Sequence, residues 1–251
     1  MTVLAASLPH SFRLGRQRAD NAAAVWLAGG AGSWASRAAQ RVRDEAGWTV
    51  VIDPGPDEPD HILALADQVG EAGARIALSE PFAGNPILPH FKEQLPPAIR
   101  VCNMHARTEG SLVHAVFAQL RLARILGFRD LAVRDVCAVP GGAMLTLSGE
   151  FDNAEMTLRA LASTSDALSA RLDVKARGAD AAAELTLFGT GTARPAIAFV
   201  VDEKGRQQLP TIYETAHRSV LRGLPTRALM TADDLSELAA DIALVRALAL
   251  T

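Results

Sequence analysis

Gly30-Ala31-Gly32-Ser33-Trp34-Ala35 lies between an apolar run and a helical one, in the G-x-G-x-x-G/A order of a turn that brings backbone close to a pyrophosphate. Such a turn presents a helix N-terminus, whose amide donors and dipole favour an anion. Asp53, closing the next apolar run, stands at about the twenty-residue distance expected of an acid that takes a ribose hydroxyl. Trp34 opposes this reading by putting a bulky ring where close approach is wanted. A turn of this kind also serves simply to join a strand to a helix. Nicotinamide dinucleotide binding through Gly30, Gly32 and Asp53 therefore stays open, and a purely structural turn, with no cofactor, is the expectation carried forward.

A second group is Glu80, His105 and Arg107, each at or just past the end of a strand-like run. Residues beyond the carboxyl ends of parallel strands face the crevice of open α/β sheets. Arg107 offers a fixed fork of donors for a carboxylate or phosphate, and Glu80 and His105 suit hydroxyls or the work of a base, so a small polar or anionic ligand is expected. His61, just inside a helix, either caps it or lines a cofactor edge. His114 and His217 fall within helices and read as surface or packing residues. No His, Cys, Asp or Glu cluster has metal-ligand spacing, and no Gly-x-Ser-x-Gly elbow occurs. Cys102 and Cys137 sit in apolar runs and read as reduced, buried thiols.

The elements that must position these groups come in two styles. Up to Phe128, short apolar runs alternate with helical ones: strands at Ala22 to Ala28, Trp48 to Ile52, Arg75 to Leu78 and Val101 to Met104, and helices at Ser36 to Ala46, Asp60 to Ala72 and Glu109 to Leu126. Strands alternating with helices imply a parallel, Rossmann-like sheet. From Asp130 to Tyr213 strand-like runs follow one another, separated by turns such as Pro140-Gly141-Gly142 and Asp152-Asn153. Alternation in Arg171-Leu172-Asp173-Val174-Lys175 implies an antiparallel sheet with one wet face. Helices at Tyr213 to Leu221 and Asp233 to Leu250 close the chain, the second capped by Thr231 or Asp233 and docking back on the first half. The reading is thus α/β, with a Rossmann-like domain over 1–128 and an α+β domain with a largely antiparallel sheet over 129–251.

Within this frame the residues resemble the Gfo/Idh/MocA group of sugar and polyol dehydrogenases. Val50-Val51-Ile52-Asp53-Pro54, His61, Glu71-Ala72-Gly73 and Ala77-Leu78-Ser79-Glu80-Pro81-Phe82-Ala83 are similar to that group's strand, Pro, His and "EKPla" sequence. Tyr213-Glu214, Arg222-Gly223-Leu224-Pro225 and Thr231 to Leu248 are similar to its closing segment. The resemblance implies NAD(P)-dependent hydride transfer aided by a lysine of the "EKP" and a later Asp-x-Gly-x-His pair. Here Glu80-Pro81 lacks that lysine, Asp-x-Gly-x-His does not occur, and one strand-helix unit of the first domain is missing. The segment Gly110 to Phe117 aligns either with the catalytic helix or with an earlier one in which Arg107 is the family's arginine. The preferred reading is a divergent member without redox catalysis, a small-ligand binder or the partner subunit of an oxidoreductase. Its alternative is an active dehydrogenase of a sugar, polyol or related hydroxy compound, with Glu80 or His105 as base.

Composition narrows the partners. The 251 residues are 49% hydrophobic and 5% aromatic, with a formal net charge of −3 spread without a basic stripe, so nucleic acid is excluded. The short apolar start precedes rather than follows its arginines, and no apolar stretch reaches the roughly 20 residues of a membrane helix, so the expected location is the cytoplasm. The resemblance implies a homo- or hetero-oligomer joined through the Asp130 to Val201 sheet.

Overall fold

A computed structural model describes residues 25–44, 47–72, 74–97, 99–109, 111–189, 191–192, 194–224 and 229–250. The expected strand start at Ala22, the helix end at Ala46, and Gly73, Gly110 and Pro225 lie outside them. The chain forms two compact units. One runs to Gly84 and resumes over Ala216–Leu244; the other comprises Asn85–Thr215 and Val245–Thr251.

In the first unit β1 (Val25–Gly29), β2 (Trp48–Ile52) and β3 (Arg75–Ser79) pair in parallel, in that order. The crossovers are α1 (Trp34–Asp44) and α2 (Pro59–Ala72), which pack side by side. Every residue of β2 is buried, as a strand covered on both faces requires, and this explains its unbroken Trp-Thr-Val-Val-Ile run. Strand order follows chain order without reversal. The six-stranded dinucleotide fold owes its binding crevice to such a reversal, the topological switch point. Among the described residues, this sheet has none.

The second unit holds α3 (Leu88–Glu93), β4 (Val101–Thr108), α4 (Leu112–Leu126) and the run β5 (Arg129–Val139), β6 (Gly142–Phe151), β7 (Ala154–Thr164), β8 (Arg171–Arg177), β9 (Ala182–Phe188), β10 (Ile197–Asp202) and β11 (Gly205–Gln208). These strands form one eight-stranded sheet, β11-β10-β9-β8-β4-β7-β6-β5, in which only the β4–β7 pair is parallel. The helix α4 packs on β4 and β7. It ends at Gly127, whose φ of 102° permits the left-handed cap. The side chain of Gln119, fully buried in α4, donates to the carbonyls of Met104 and Leu161, pinning the helix to the one parallel seam.

The change of style expected at Phe128 is therefore found after Gly84. The strand read as the fourth parallel strand of the first half is the inner strand of the large sheet, and α4 goes with it. In β4 the buried residues Cys102, Met104 and Ala106 alternate with the partly or fully exposed Asn103, His105 and Arg107. That is the pattern of a sheet with one covered face, unlike the fully buried β2.

After β11 the chain returns to the first unit with α5 (Ala216–Gly223) and, as far as Leu244, α6 (Ala232–Ala247). Val220, Leu221 and Leu224 close a core with Val25, Leu27, Trp48, Val50, Ile52 and Ala77. Thr231 is the N-cap of α6: its hydroxyl accepts from the Asp234 amide at 3.1 Å, and the Asp234 carboxylate accepts from the Thr231 amide at 2.8 Å, a reciprocal capping box. Among the described residues no helix is long and apolar enough to cross a membrane.

Candidate functional site

The three small residues of the Gly30 turn behave differently from one another. A Cβ on Gly30 would lie 2.3 Å from the Asp53 oxygen and the Pro54 Cα, so glycine here serves the approach of the chain's own backbone. Gly32, at φ 61°, faces nearly open space, and Ala35 is fully buried. Several polar groups of the turn are engaged within the unit. The Gly30 amide donates to Ile52 at 2.7 Å, Gly55 donates to Gly30 at 3.0 Å, and the Trp34 amide donates to Gly32 at 2.8 Å. The Trp34 ring is fully buried, its Nε1 donating to the Gly55 carbonyl at 2.9 Å. This is why a large side chain is tolerated in the turn: it fills the turn from within. Arg37 folds over the outside and donates to the carbonyls of Gly29 and Ala31.

The N-terminus of α1 is capped by a residue the motif does not contain. Buried Asp57 accepts from the Ala35 amide at 2.8 Å through Oδ2, and from the Glu58 amide at 2.7 Å through Oδ1, which also lies 3.3 Å from His61 Nδ1. One carboxylate thus serves the starts of both α1 and α2. It places a negative charge where a dinucleotide turn receives its pyrophosphate. The residues at this turn do not fit a nicotinamide dinucleotide in the conformation described, because Asp57 and the phosphate would compete for the same donor.

Asp53 and Glu80 lie at the carboxyl ends of β2 and β3. Asp53 has a φ of 50°, unusual for a residue before proline. Its Oδ1 is 3.2 Å from His217 Nε2 on α5, outside good hydrogen-bond alignment. His217 Nδ1 is 2.7 Å from Ser79 Oγ, the last residue of β3. The result is a Ser79–His217–Asp53 chain that ties α5 to two strand ends. It is not a hydrolytic triad: Ser79 has no exposed surface, and the serine meets Nδ1 rather than the Nε2 expected of a nucleophile's base. His217, expected to be a surface or packing residue, is instead a buried polar tie. Its spacing in an amphipathic helix carried no sign of a partner 138 residues away. Glu80 is itself buried.

His105 and Arg107 lie in the other unit and inside β4, not beyond its end, on the face opposite α4. His105 Nε2 is 3.3 Å from Ser163 Oγ on β7, and Arg107 donates through Nε and Nη2 to the Ser169 carbonyl at 3.3 and 3.0 Å. The structure brings these two together, with Asp173 opposite His105 and Arg171 opposite Arg107 on β8. Glu80 belongs to the first unit. The sequence reading missed Arg171, because a lone arginine at a strand start shows no partner until the register is known. Cys102 is buried and its thiol is pushed well above its ordinary range by burial, whereas Cys137, expected to be buried, is exposed on the edge strand β5. Among the described residues β5 has no strand on its outer side. His114 is lowered by partial burial in α4. Among the described residues no group of three His, Cys, Asp or Glu side chains is arranged to hold a metal ion.

Among solved structures, the chain is similar to UDP-N-acetylglucosamine 3-dehydrogenase GnnA from Acidithiobacillus ferrooxidans, with a TM-score of 0.68 at 10% identity over 89% of this chain and 77% of that one. It is similar to a 3-ketoreductase from Actinomadura kijaniata, solved with TDP-benzene and NADP, with a TM-score of 0.66 at 13% identity over 88% and 76%. For the dehydrogenase MviM from Clostridium difficile the figures are 0.63, 8%, 90% and 78%. No family model and no curated protein matches the chain. At these identities the likeness is one of fold. The chain has the fold of these oxidoreductases and covers 76 to 78% of their length, in agreement with the family resemblance in its sequence.

Proposed function

We propose that this chain has kept the oxidoreductase fold without dinucleotide-dependent hydride transfer, and works as a small-ligand-binding or partner protein. The observation that carries the reading is the Asp57 carboxylate on the Ala35 amide at 2.8 Å, which puts the chain's own anion at the helix start a pyrophosphate requires. The absence of a lysine after Glu80 agrees with it, since nothing in the Glu80-Pro81 turn replaces the proton-handling group that the family resemblance implies there. Titration with NADH and NADPH, followed by fluorescence, tests it. No saturable binding is expected. A low-micromolar dissociation constant abolished by Gly32→Asp overturns it in favour of the alternative, an active dehydrogenase of a sugar or polyol, which the NADP-bound 3-ketoreductase neighbour supports.

The partner half of the proposal rests on the uncovered face of the eight-stranded sheet. Met144, Leu161 and Ile197 are exposed there, and the register aligns them in one row with His105, Asp173 and Thr186. Large apolar side chains on an otherwise polar, uncovered face mark a surface that another sheet covers. Self-association through it, disrupted by Leu161→Asp, is the expected result in sedimentation. A monomer at micromolar concentration that recovers no partner on pull-down counts against it.

A further inference from the structure

We propose that the Arg107 end of this open face is a binding site for a compact dianion, a phosphate group. This deepens the ligand-binding half of the proposed function and does not depend on the Gly30 turn. Arg107 and Arg171 are directly opposite each other in the β4–β8 register, and Phe188 is directly opposite Arg171 in the β8–β9 register. Like charges directly opposite on neighbouring strands repel. Arg194, from the loop before β10, adds a third guanidinium: its Cζ lies 5.7 Å from the Phe188 ring centre, and that of Arg171 lies 5.9 Å from it. Two of the three cations thus share the Phe188 ring as a partner.

The carboxylate bonded within the group is Asp173, 2.7 Å from Arg171 Nη2 and 2.6 Å from the Thr186 hydroxyl. The other acids of the adjoining segments, Glu109 after β4 and Asp166 in the β7–β8 connection, are both exposed. The group thus holds three guanidinium groups, two on the sheet and one on the adjoining loop, and one bonded carboxylate, and the charge excess suits a doubly charged ligand.

Donor geometry points the same way. The Ser169 carbonyl takes Nε and Nη2 of Arg107, which fixes the plane of the guanidinium and leaves its remaining N–H groups for a ligand. Ser163, directly opposite Arg107 on β7, adds a hydroxyl 3.3 Å from His105 Nε2. A fork of fixed N–H donors beside a hydroxyl matches the oxygens of a phosphate, which accept several bonds at once. Placement of Arg107, Arg171 and Ser163 on strands supplies preorganisation.

The test is calorimetric titration of the full chain with inorganic phosphate and, separately, with glycerol 3-phosphate, at constant ionic strength held by chloride. Saturable binding of at least one is expected. Tighter binding of the ester identifies a phosphorylated small molecule as the ligand, and equal binding identifies free phosphate. Arg107→Ala should weaken binding about tenfold or more, the loss of one charge-assisted contact, and Arg107→Lys should restore only part of it. Arg194→Ala, a loop change that leaves the sheet intact, keeps the test valid if the strand variants fail to fold, and Arg75→Ala in the first unit is the control. No saturable binding of either probe, or binding unmoved by both Arg107→Ala and Arg194→Ala, overturns the proposal. NADPH carries a phosphate ester of its own, so binding of NADPH that survives Gly32→Asp and is lost in Arg107→Ala belongs to this site. Binding lost in Gly32→Asp instead refutes the proposed function and leaves this inference standing.

Discussion

Each unit contains a serine–histidine pair, and the two pairs have opposite fates. In the first unit Ser79 and His217 meet at 2.7 Å with both side chains buried, and the histidine also faces Asp53. In the second, Ser163 and His105 meet at 3.3 Å on an exposed sheet face, beside two arginines. The same two residue types hold the fold together in one place and stay accessible in the other. The difference lies in what covers the strand. In the first unit α5 lies over the strand ends and turns their polar groups inward, whereas α4 covers only one face of the large sheet. Polar groups at the carboxyl ends of the small sheet are engaged within its unit; those on the open face of the large one are exposed or half-buried.

The sharpest way to break this contrast is Gly30→Ala. The new Cβ meets backbone atoms of Asp53 and Pro54 that cannot move independently, so the cost should exceed the about 1 to 3 kcal/mol of ordinary overpacking and unfold the first unit. Gly32→Ala, strained only by its positive φ, should cost about 1 to 2 kcal/mol. Urea denaturation of the two variants decides, and equal midpoints would mean that the Asp53-Pro54 segment is not packed on the turn.

Gln119→Leu comes next. It strips a donor from two carbonyls at the β4–β7 seam and should destabilise the chain by about 1 to 3 kcal/mol, read from the same denaturation curves. Asp57→Ala removes the cap of α1 and the Glu58 contact, with an expected loss of about 1 to 2 kcal/mol. It also sharpens the functional contrast. If Asp57 is what excludes a phosphate from α1, NADH affinity should rise in this variant, and an unchanged titration would place the obstacle elsewhere.

Ser79→Ala should cost about 1 kcal/mol, whereas Ser163→Ala should stay within about 0.5 kcal/mol. Equal losses would erase the distinction between the two pairs. The smallest effect concerns the cysteines. Burial shields the Cys102 thiol from reagent and raises its pKa, so iodoacetamide should label exposed Cys137 alone in the folded chain, as mass spectrometry will show, with no change in stability.

Much of the fold was legible in the sequence because local patterns have local causes. The run Trp48 to Ile52 was recognisable as a strand, Gly127 as a helix stop, and Thr231 as one of two possible caps, since each depends on neighbours a few residues away. The boundary was misplaced because Val101 to Met104 is short and apolar enough to pass as another parallel strand. Its alternation becomes plain only when extended through His105 and Arg107 to Thr108. The candidate site divided in the same manner. Arg107 and His105 were singled out by residue type, and Gly30 and Gly32 by spacing.

By itself, the sequence determined the periodicities, the turns, the lost lysine and the family resemblance, all of which rest on residue identity or on separations of a few positions. Only the tertiary structure decided that Asp57 caps α1, that Ser79, His217 and Asp53 form one buried chain, and that Arg107 faces Arg171. These contacts join residues 22, 138 and 64 positions apart, and strand register and helix placement, which no local pattern encodes, set which side chains meet across such distances.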